Sequence, residues 1–400
     1  MVKPTIGIIG AGYVGLVVAS SYASKGYRVL LFEKDVEKKR LLQQGVVPFF
    51  EPELPQLFAS VLDCNLLICE ELKDFFTQNL PVDIIFSCVA TPVLPDGELD
   101  TSAINSVLAD LVKFASKDIL LINKSTITPG LSAVMEASLQ PAKVKITMVY
   151  NPEFLRQGQA VIDFMHPDRI VFGLPAAASD HLKAQLLVLA TNFADEAKII
   201  FTDLVTAEFI KHAANAMLAC RVTFMNQIFR LAKKLGADMQ TISQGVGMDH
   251  RIGSHYLTSG PGFGGSCLPK DLKALIGMGK KLAVDVSLLQ AIASFNESQV
   301  DWFYQQWQKE VGGIKDRTVA VQGVSFKADT SDLRNSVQLA LVRRIAADKP
   351  KSLLLLDPTL GKEELARLGD ELGVAVLACD DEQMVKEVLA DEKTVILARS

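Results

Sequence analysis

Two kinds of apolar pattern alternate along the 400-residue chain. Thr5-Ile6-Gly7-Ile8-Ile9, Tyr27-Arg28-Val29-Leu30-Leu31-Phe32, Asp83-Ile84-Ile85-Phe86-Ser87-Cys88-Val89, Ile119-Leu120-Leu121-Ile122-Asn123 and Ile146-Thr147-Met148-Val149-Tyr150 are short, nearly continuous apolar runs. Such runs mark strands covered on both faces, as in a parallel sheet between helices. Between the first two, apolar positions recur at helical spacing through about Lys25, and a longer helical pattern runs from about Asp203 to Leu235, with Gly236 as its stop. Beyond Gly312-Gly313, Arg317 to Gly323 opens a second α/β unit, with further strands expected at Ser352 to Asp357, Val374 to Cys379 and Thr394 to Ala398. The expected class is α/β with more than one domain, because a chain this long exceeds what one core organises.

The first strand runs into Gly10-Ala11-Gly12-Tyr13-Val14-Gly15 and then a helix. In that order Gly10 allows a tight turn, Gly12 the close approach of a pyrophosphate, and Gly15 the packing of helix on strand. Glu33 ends the second strand, 18 residues beyond Gly15, where an acid binds ribose hydroxyls and repels a 2′-phosphate. NAD is therefore favoured over NADP. The loops after the next strands carry Thr91, Ser125 and Thr126, which are expected to look toward the cofactor crevice, although helix capping is the commoner work of a lone hydroxyl. Glu153 also follows a strand, and reads either as a solvated loop charge or as a general acid/base.

Ser259 to Asp271 holds four glycines and two prolines, so it is a shaped loop. It delivers Cys267, followed by Lys270 and by Asp271, where a helix is expected to restart. A thiolate beside a cation or helix N-terminus is a strong nucleophile at neutral pH; a buried small apolar cysteine is the plain alternative. Lys211 and Asn215, four apart on the long helix, present a cation and an amide donor suited to an oxyanion, or are a solvent-facing lysine and a neutral asparagine. In the last unit, Phe326 to Ser336 brings Lys327 and Arg334 together after a strand, which suits phosphate.

Composition narrows the partners. Apolar residues make up 49%, and the net charge of −5 without a long basic run argues against nucleic acid. Cys64, Cys69, Cys88, Cys220, Cys267 and Cys379 show neither zinc spacing nor disulfide density, and the five histidines suggest no metal. No signal-peptide pattern opens the chain and no 18 apolar residues run together, so no membrane partner is expected and the reducing cytoplasm is the expected compartment.

Taken in order, the glycine turn, Thr91-Pro92, Lys124-Ser125-Thr126, Pro152-Glu153-Phe154-Leu155-Arg156, Lys211 to Asn215, Arg251-Ile252-Gly253, the Cys267 loop and Phe326-Lys327 to Arg334 resemble the UDP-glucose/GDP-mannose dehydrogenase family over nearly the whole chain. The resemblance implies two Rossmann-like parallel-sheet domains joined by a long central helix and a helical middle region. The expected division is 1–200 for NAD, 201–300 for dimerisation and 301–400 for the sugar nucleotide. It further implies a homodimer and oxidation of a sugar-nucleotide alcohol to a carboxylate with NAD. By the same resemblance Cys267 is the nucleophile, Lys211 and Asn215 stabilise an oxyanion, Asp271 helps activate water, and Thr126 with Glu153 positions a water. Gly10, Gly12, Tyr13, Val14, Gly15, Glu33, Thr91, Thr126, Lys270 and Arg334 are implied to hold NAD. Glu153, Phe154, Leu155, Arg156, Lys211, Asn215, Arg251, Tyr256, Leu257, Gly262, Phe263, Gly264 and Lys327 are implied to hold the sugar nucleotide, with Arg251 reaching from a partner subunit. Two departures stand out. Gln157 lies where many relatives carry glutamate, which shifts acid/base work to Glu153 and water, and the chain stops at Ser400 after an apolar strand, leaving a shortened or a naturally compact nucleotide-binding end. UDP-glucose is the expected substrate, GDP-mannose or another sugar nucleotide oxidised at C6 the alternative, and a nucleotide-sensing protein with a degenerate site the non-enzymatic reading.

Overall fold

The computed structural model describes residues 3–77, 81–94, 97–373, 376–378 and 394–397. It divides into two compact units, Met1–Ala213 and Ala214–Ser400. In chain order the first contains β1 (Ile6–Ile9), α1 (Tyr13–Ser24), β2 (Val29–Phe32), α2 (Val36–Gln43), α3 (Leu54–Val61), β3 (Leu66–Cys69), β4 (Ile84–Ser87), α4 (Ser102–Phe114), β5 (Ile119–Asn123), α5 (Leu131–Leu139), β6 (Ile146–Tyr150), α6 (Ala160–Met165), β7 (Ile170–Leu174), α7 (Asp180–Ala190) and β8 (Ile199–Asp203). The long helix α8 (Leu204–Leu235) begins in this unit and continues into the next.

The strands form one sheet in the order β3-β2-β1-β4-β5-β6-β7-β8. Neighbours from β3 through β6 are parallel; β7 turns antiparallel to β6 at Tyr150↔Gly173, and β8 runs parallel to β7. Because β1 is flanked by β2 on one side and β4 on the other, the connections leave it in opposite directions and open a crevice beyond its carboxyl end. Strand alternation sends Ile6 and Ile8 into a core with Leu16, Val17 and Phe58, and Ile9 into a second core with Leu108 and Leu111. Both faces of the sheet are thus covered, which is why these strands read as unbroken apolar runs.

The second unit continues with α9 (Met239–Gly247), α10 (Leu268–Lys281), α11 (Ser287–Val311), β9 (Thr318–Gln322), α12 (Val337–Ala347), β10 (Ser352–Leu356), α13 (Lys362–Leu372), β11 (Val376–Ala378) and β12 (Thr394–Leu397). Its four strands are parallel in the order β11-β10-β9-β12, which repeats around β9 the reversal seen around β1. Trp307 and Tyr304 of α11 pack with Val319, Val321 and Leu353. A separate cluster of Ala216, Ala219, Phe263, Leu272, Leu275 and Ile292 holds α8, α10 and α11 together.

The chain adopts the expected α/β class with two sheets and a long helix, and the first sheet departs from the expected all-parallel order only where β7 runs antiparallel to β6. Of the strand expected at Val374 to Cys379, Val376–Ala378 is seen and Val374, Ala375 and Cys379 lie outside the described residues, as does Ala398 after β12. One boundary is corrected: the helix after the thiol loop starts at Leu268, not at Asp271. Pro269 falls at its first positions, where the missing N–H needs no partner, so this proline marks the start of a helix rather than its delay.

Candidate active site

The glycine turn separates what the fold needs from what a ligand needs. Gly10 has φ +93°, and a Cβ on Gly15 would sit 1.8 Å from the Gly10 carbonyl oxygen and 3.2 Å from Cys88 Cβ. Both are required by the turn and by the packing of α1 on the sheet. A Cβ on Gly12 would meet nothing within 4 Å, and Gly12 caps α1 without a side-chain bond. The helix N-terminus is therefore uncovered just where a dinucleotide pyrophosphate binds. Gly15→Ala is expected to destabilise the protein by at least about 2 kcal/mol and to weaken NAD binding; thermal unfolding with and without NAD checks both.

Tyr13, the first residue of α1, packs its ring against Phe49 at a tilt of 33° with ring centroids 4.0 Å apart, and Val14 packs against the first core. Glu33 is buried and accepts from the Ala11 amide at 2.8 Å and the Asp35 amide at 3.0 Å. It follows β2 directly and thus braces the glycine turn. Thr91 Oγ1 donates to the Thr126 carbonyl at 2.7 Å, and Ser125 Oγ to the Val89 carbonyl at 2.7 Å, so these hydroxyls join the loops after β4 and β5.

Beyond β5 and β6 lies a buried charged group. Lys211 Nζ donates to Glu153 Oε1 at 2.8 Å and to the Glu153 carbonyl at 2.7 Å, while the Leu155 amide donates to Oε2 at 2.7 Å. Both partners are less than a tenth exposed. Glu153 is therefore not the solvated loop charge its position alone allowed. Phe154 lies under the Arg169 guanidinium, 3.8 Å from its ring centroid, with Lys211 Nζ 5.6 Å away. Burial holds the Arg169 guanidinium below its usual value. Arg156 is exposed and pairs with Asp163 at 2.6 Å.

Sequence patterns missed the side chains that hold these loops. Glu208, buried on α8, accepts from the Gly130 amide at 2.5 Å and the Ser132 amide at 2.9 Å. His212 Nε2 donates to the Ile127 carbonyl at 2.7 Å; a carbonyl only accepts, so this nitrogen carries the proton. Together they fix the loop that follows Thr126. Glu51 accepts the Gly158 and Ala160 amides at 2.7 and 2.8 Å, closing the loop after Glu153. Lys124, part of a motif already singled out, is itself buried. A lysine directly after an apolar strand is the signal that could have found it.

In the second unit Cys267 is the N-cap residue of α10, and makes no side-chain cap bond to its own helix. Its Sγ lies 3.6 Å from Ser266 Oγ. Behind it Asp271 is fully buried, accepting from Asn215 Nδ2 at 2.5 Å and pairing with Lys270 Nζ at 3.0 Å. The helix start supplies a positive end to the thiol, the kind of surrounding that favours a thiolate. The loop before it is braced: Asn226 Oδ1 accepts the Gly260 amide, Gln299 donates to the Gly260 carbonyl, and Asn296 bonds both backbone groups of Phe263. A Cβ on Gly262 would lie 2.6 Å from Asn296 Oδ1, and one on Gly264 2.2 Å from the Asn335 carbonyl oxygen. These glycines are needed by the loop's own packing.

Leu257 is buried and its carbonyl accepts from Ser243 at 2.9 Å, while Tyr256 holds φ +61°, a costly conformation for a bulky side chain. Arg251 is exposed and forks onto Asp249, as Arg334 does onto Asp332. Lys327 Nζ lies 5.9 Å from the Phe326 ring centroid. Asp357, directly after β10, accepts from the Val324 and Ser325 amides after β9, as Glu33 does from Ala11 after β1. Those bonds hold its carboxyl below the usual range despite burial. Among the described residues no three His, Cys, Asp or Glu side chains gather as a metal site.

The sequence matches the NAD binding domain of the UDP-glucose/GDP-mannose dehydrogenase family over residues 4–187 and that family's central domain over residues 205–298. The chain belongs to this family. UDP-glucose 6-dehydrogenase of Rhizobium meliloti is 35% identical over 345 residues, 85% of this chain and 78% of that one. TuaD, a UDP-glucose 6-dehydrogenase of Bacillus subtilis, is 33% identical over 371 residues, 92% of this chain and 78% of that one. Among solved structures, a UDP-glucose dehydrogenase from Pyrobaculum islandicum superposes with a TM-score of 0.88 at 29% identity, covering 99% of this chain and 90% of that one. GDP-mannose dehydrogenase from Pseudomonas aeruginosa does so with a TM-score of 0.58 at 26% identity, covering 98% and 95%. The family's NAD fits the first unit, where the uncovered start of α1 at Gly12 and the Glu33 carboxylate at the end of β2 are the groups that would hold it.

Proposed function

We propose that the protein oxidises the C6 alcohol of UDP-glucose to the carboxylate of UDP-glucuronate. The observation that carries this reading is the thiol of Cys267 at the start of α10, backed by the buried Asp271–Asn215 bond. The resemblance to UDP-glucose 6-dehydrogenases supports the choice of sugar nucleotide. When bound, NAD⁺ accepts the hydride lost in each of two successive oxidations. The chain's own residues account for the rest. Glu153 and Thr126 hold a water that takes the proton of the C6 hydroxyl as the alcohol becomes an aldehyde. Cys267 Sγ then adds to the aldehyde carbon, forming a C–S bond and a hemithioacetal oxygen whose charge Lys211 and Asn215 stabilise. Loss of the second hydride gives a thioester, and water, oriented by Asp271, cleaves the C–S bond to release the acid and return the thiol.

The same reading makes Phe154, Leu155, Arg156, Arg251, Tyr256, Leu257, Gly262, Phe263, Gly264 and Lys327 contacts of the sugar nucleotide, and Glu33, Thr91, Lys270 and Arg334 contacts of the cofactor. It assigns 1–200, 201–300 and 301–400 to cofactor, dimerisation and nucleotide domains, and the cytoplasm as compartment. Exposed Met217, Phe224 and Leu231 recur every seven residues on α8, an apolar stripe that supports pairing with a second copy. Purified protein given NAD⁺ with UDP-glucose is expected to form two NADH per sugar, faster than with GDP-mannose. Faster turnover of GDP-mannose would move the substrate, and NAD binding without any turnover would leave a nucleotide-sensing protein.

A further inference from the structure

Glu51 is 1% exposed, and the proposed reaction gives it no part. Its Oε2 accepts the Gly158 amide at 2.7 Å, across 107 residues of sequence, and its Oε1 accepts the amide of Ala160, the first residue of α6, at 2.8 Å. Each oxygen of one carboxylate thus takes its own N–H, which makes both bonds charge-assisted. Both donors are backbone, so what the carboxylate fixes is the course of the chain.

The base of this grip is well anchored. Just before Glu51, Phe49 packs against Tyr13 at the start of α1, and just after it Leu54 and Phe58 of α3 are buried in the first core with Leu16 and Val17. The chain it grips is neither strand nor helix from Asn151 to Gln159. Bonds within that stretch are local: Leu155 donates to Glu153 Oε2, Arg156 to Asp163 Oδ2 at 2.8 Å, and Gln159 to the Arg156 carbonyl at 2.9 Å, closing a turn in which Gly158 has φ +80°. These keep the shape of the loop. Its place is set at the start by Lys211, through the Glu153 carbonyl, and at the end by Glu51.

We propose that Glu51 is a positioning residue for the sugar nucleotide, acting through the backbone of the loop that presents Phe154, Leu155 and Arg156. The inference rests on the oxidation proposed above, which makes those three residues contacts of the sugar nucleotide. The cofactor turn has a brace of its own in Glu33, bonded to the Ala11 amide. Loss of the Glu51 grip therefore falls on one ligand and spares the other.

The test is the split between the two Michaelis constants in NADH formation by wild type and Glu51→Gln, read together with limited tryptic digestion. Glutamine keeps the size but offers one oxygen to two amides, and its own NH₂ meets the second donor. KM for UDP-glucose is expected to rise about tenfold, with KM for NAD⁺ and kcat within about twofold of wild type. Trypsin is expected to cut after the exposed Arg156 about tenfold faster, with its other sites unchanged. A merely structural role would open many tryptic sites together and lower the folded fraction without splitting the constants. An unmoved KM for UDP-glucose, or an equal rise in both constants, overturns the proposal. Should the glutamine variant not fold, Glu51→Asp decides: it keeps the charge but is one methylene too short for both amides, and the same split at about threefold is expected, its absence overturning the proposal. Should the wild type form no NADH, the functional reading fails by itself and the digestion decides. Selective cutting after Arg156 in the variant then sustains the hold of Glu51 on the loop, and cutting at the wild-type rate overturns it.

Discussion

Cys267→Ser is expected to lower steady-state formation of the sugar acid by about 10³-fold or more while leaving the unfolding temperature within a few degrees of wild type. The substitution changes one atom. Cys267 makes no cap bond to α10, so exchanging sulfur for oxygen removes no helix-capping interaction. In the proposed scheme it removes the group whose ionised form adds to the aldehyde: a serine hydroxyl stays protonated at neutral pH and no histidine general base is part of that scheme. The first oxidation needs no thiol, so traces of NADH remain, at most one per active site before the reaction stalls. Absorbance of NADH, chromatography of the acid and a thermal melt give the three readouts. Acid formation at the wild-type rate would end the covalent scheme, whatever the substrate.

The glycine turn was legible because three glycines at fixed spacing do three separable things, and the structure attributes two of them to the fold and leaves the third, Gly12, without any demand from the protein. The buried strands were legible for a related reason: an unbroken apolar run is readable when both faces are covered. β3 and β8 were not among the runs singled out; β3 is only partly buried at Leu67 and Ile68, and β8 carries the half-exposed Ile200 and ends in an acid at the sheet edge. The start of α10 was misread because proline has two meanings, a break inside a helix and a favoured residue in its first turn, and only the backbone distinguishes them. The burial of Glu153 could not be read locally either. It depends on Lys211, 58 residues away in sequence, and the amide of Leu155 arriving at the same two oxygens. Single acidic residues after strands look alike until the far end of the chain supplies their partners.

That long-range pairing sets the other large effect. Lys211→Met is expected to destabilise the protein by about 3 kcal/mol or more, because it leaves the carboxylate of Glu153 buried with an amide and no adjacent cation. Glu153→Gln in the same chain removes the uncompensated charge and is expected to return most of the lost stability. Turnover behaves differently: Lys211→Met is expected to lose about 10²- to 10³-fold, and the double variant is expected to recover none of it, since the ammonium that the proposed scheme sets against the developing oxyanion is still absent. Denaturant midpoints and NADH rates on the two single variants and the double variant separate these contributions. An unchanged midpoint for Lys211→Met would mean that Glu153 is hydrated in solution, and a double variant that regained turnover would reduce Lys211 to a structural counter-ion. A residue that holds a buried acid in the resting protein and meets the oxyanion during reaction must fail both tests when removed, and only the first can be repaired by neutralising its partner.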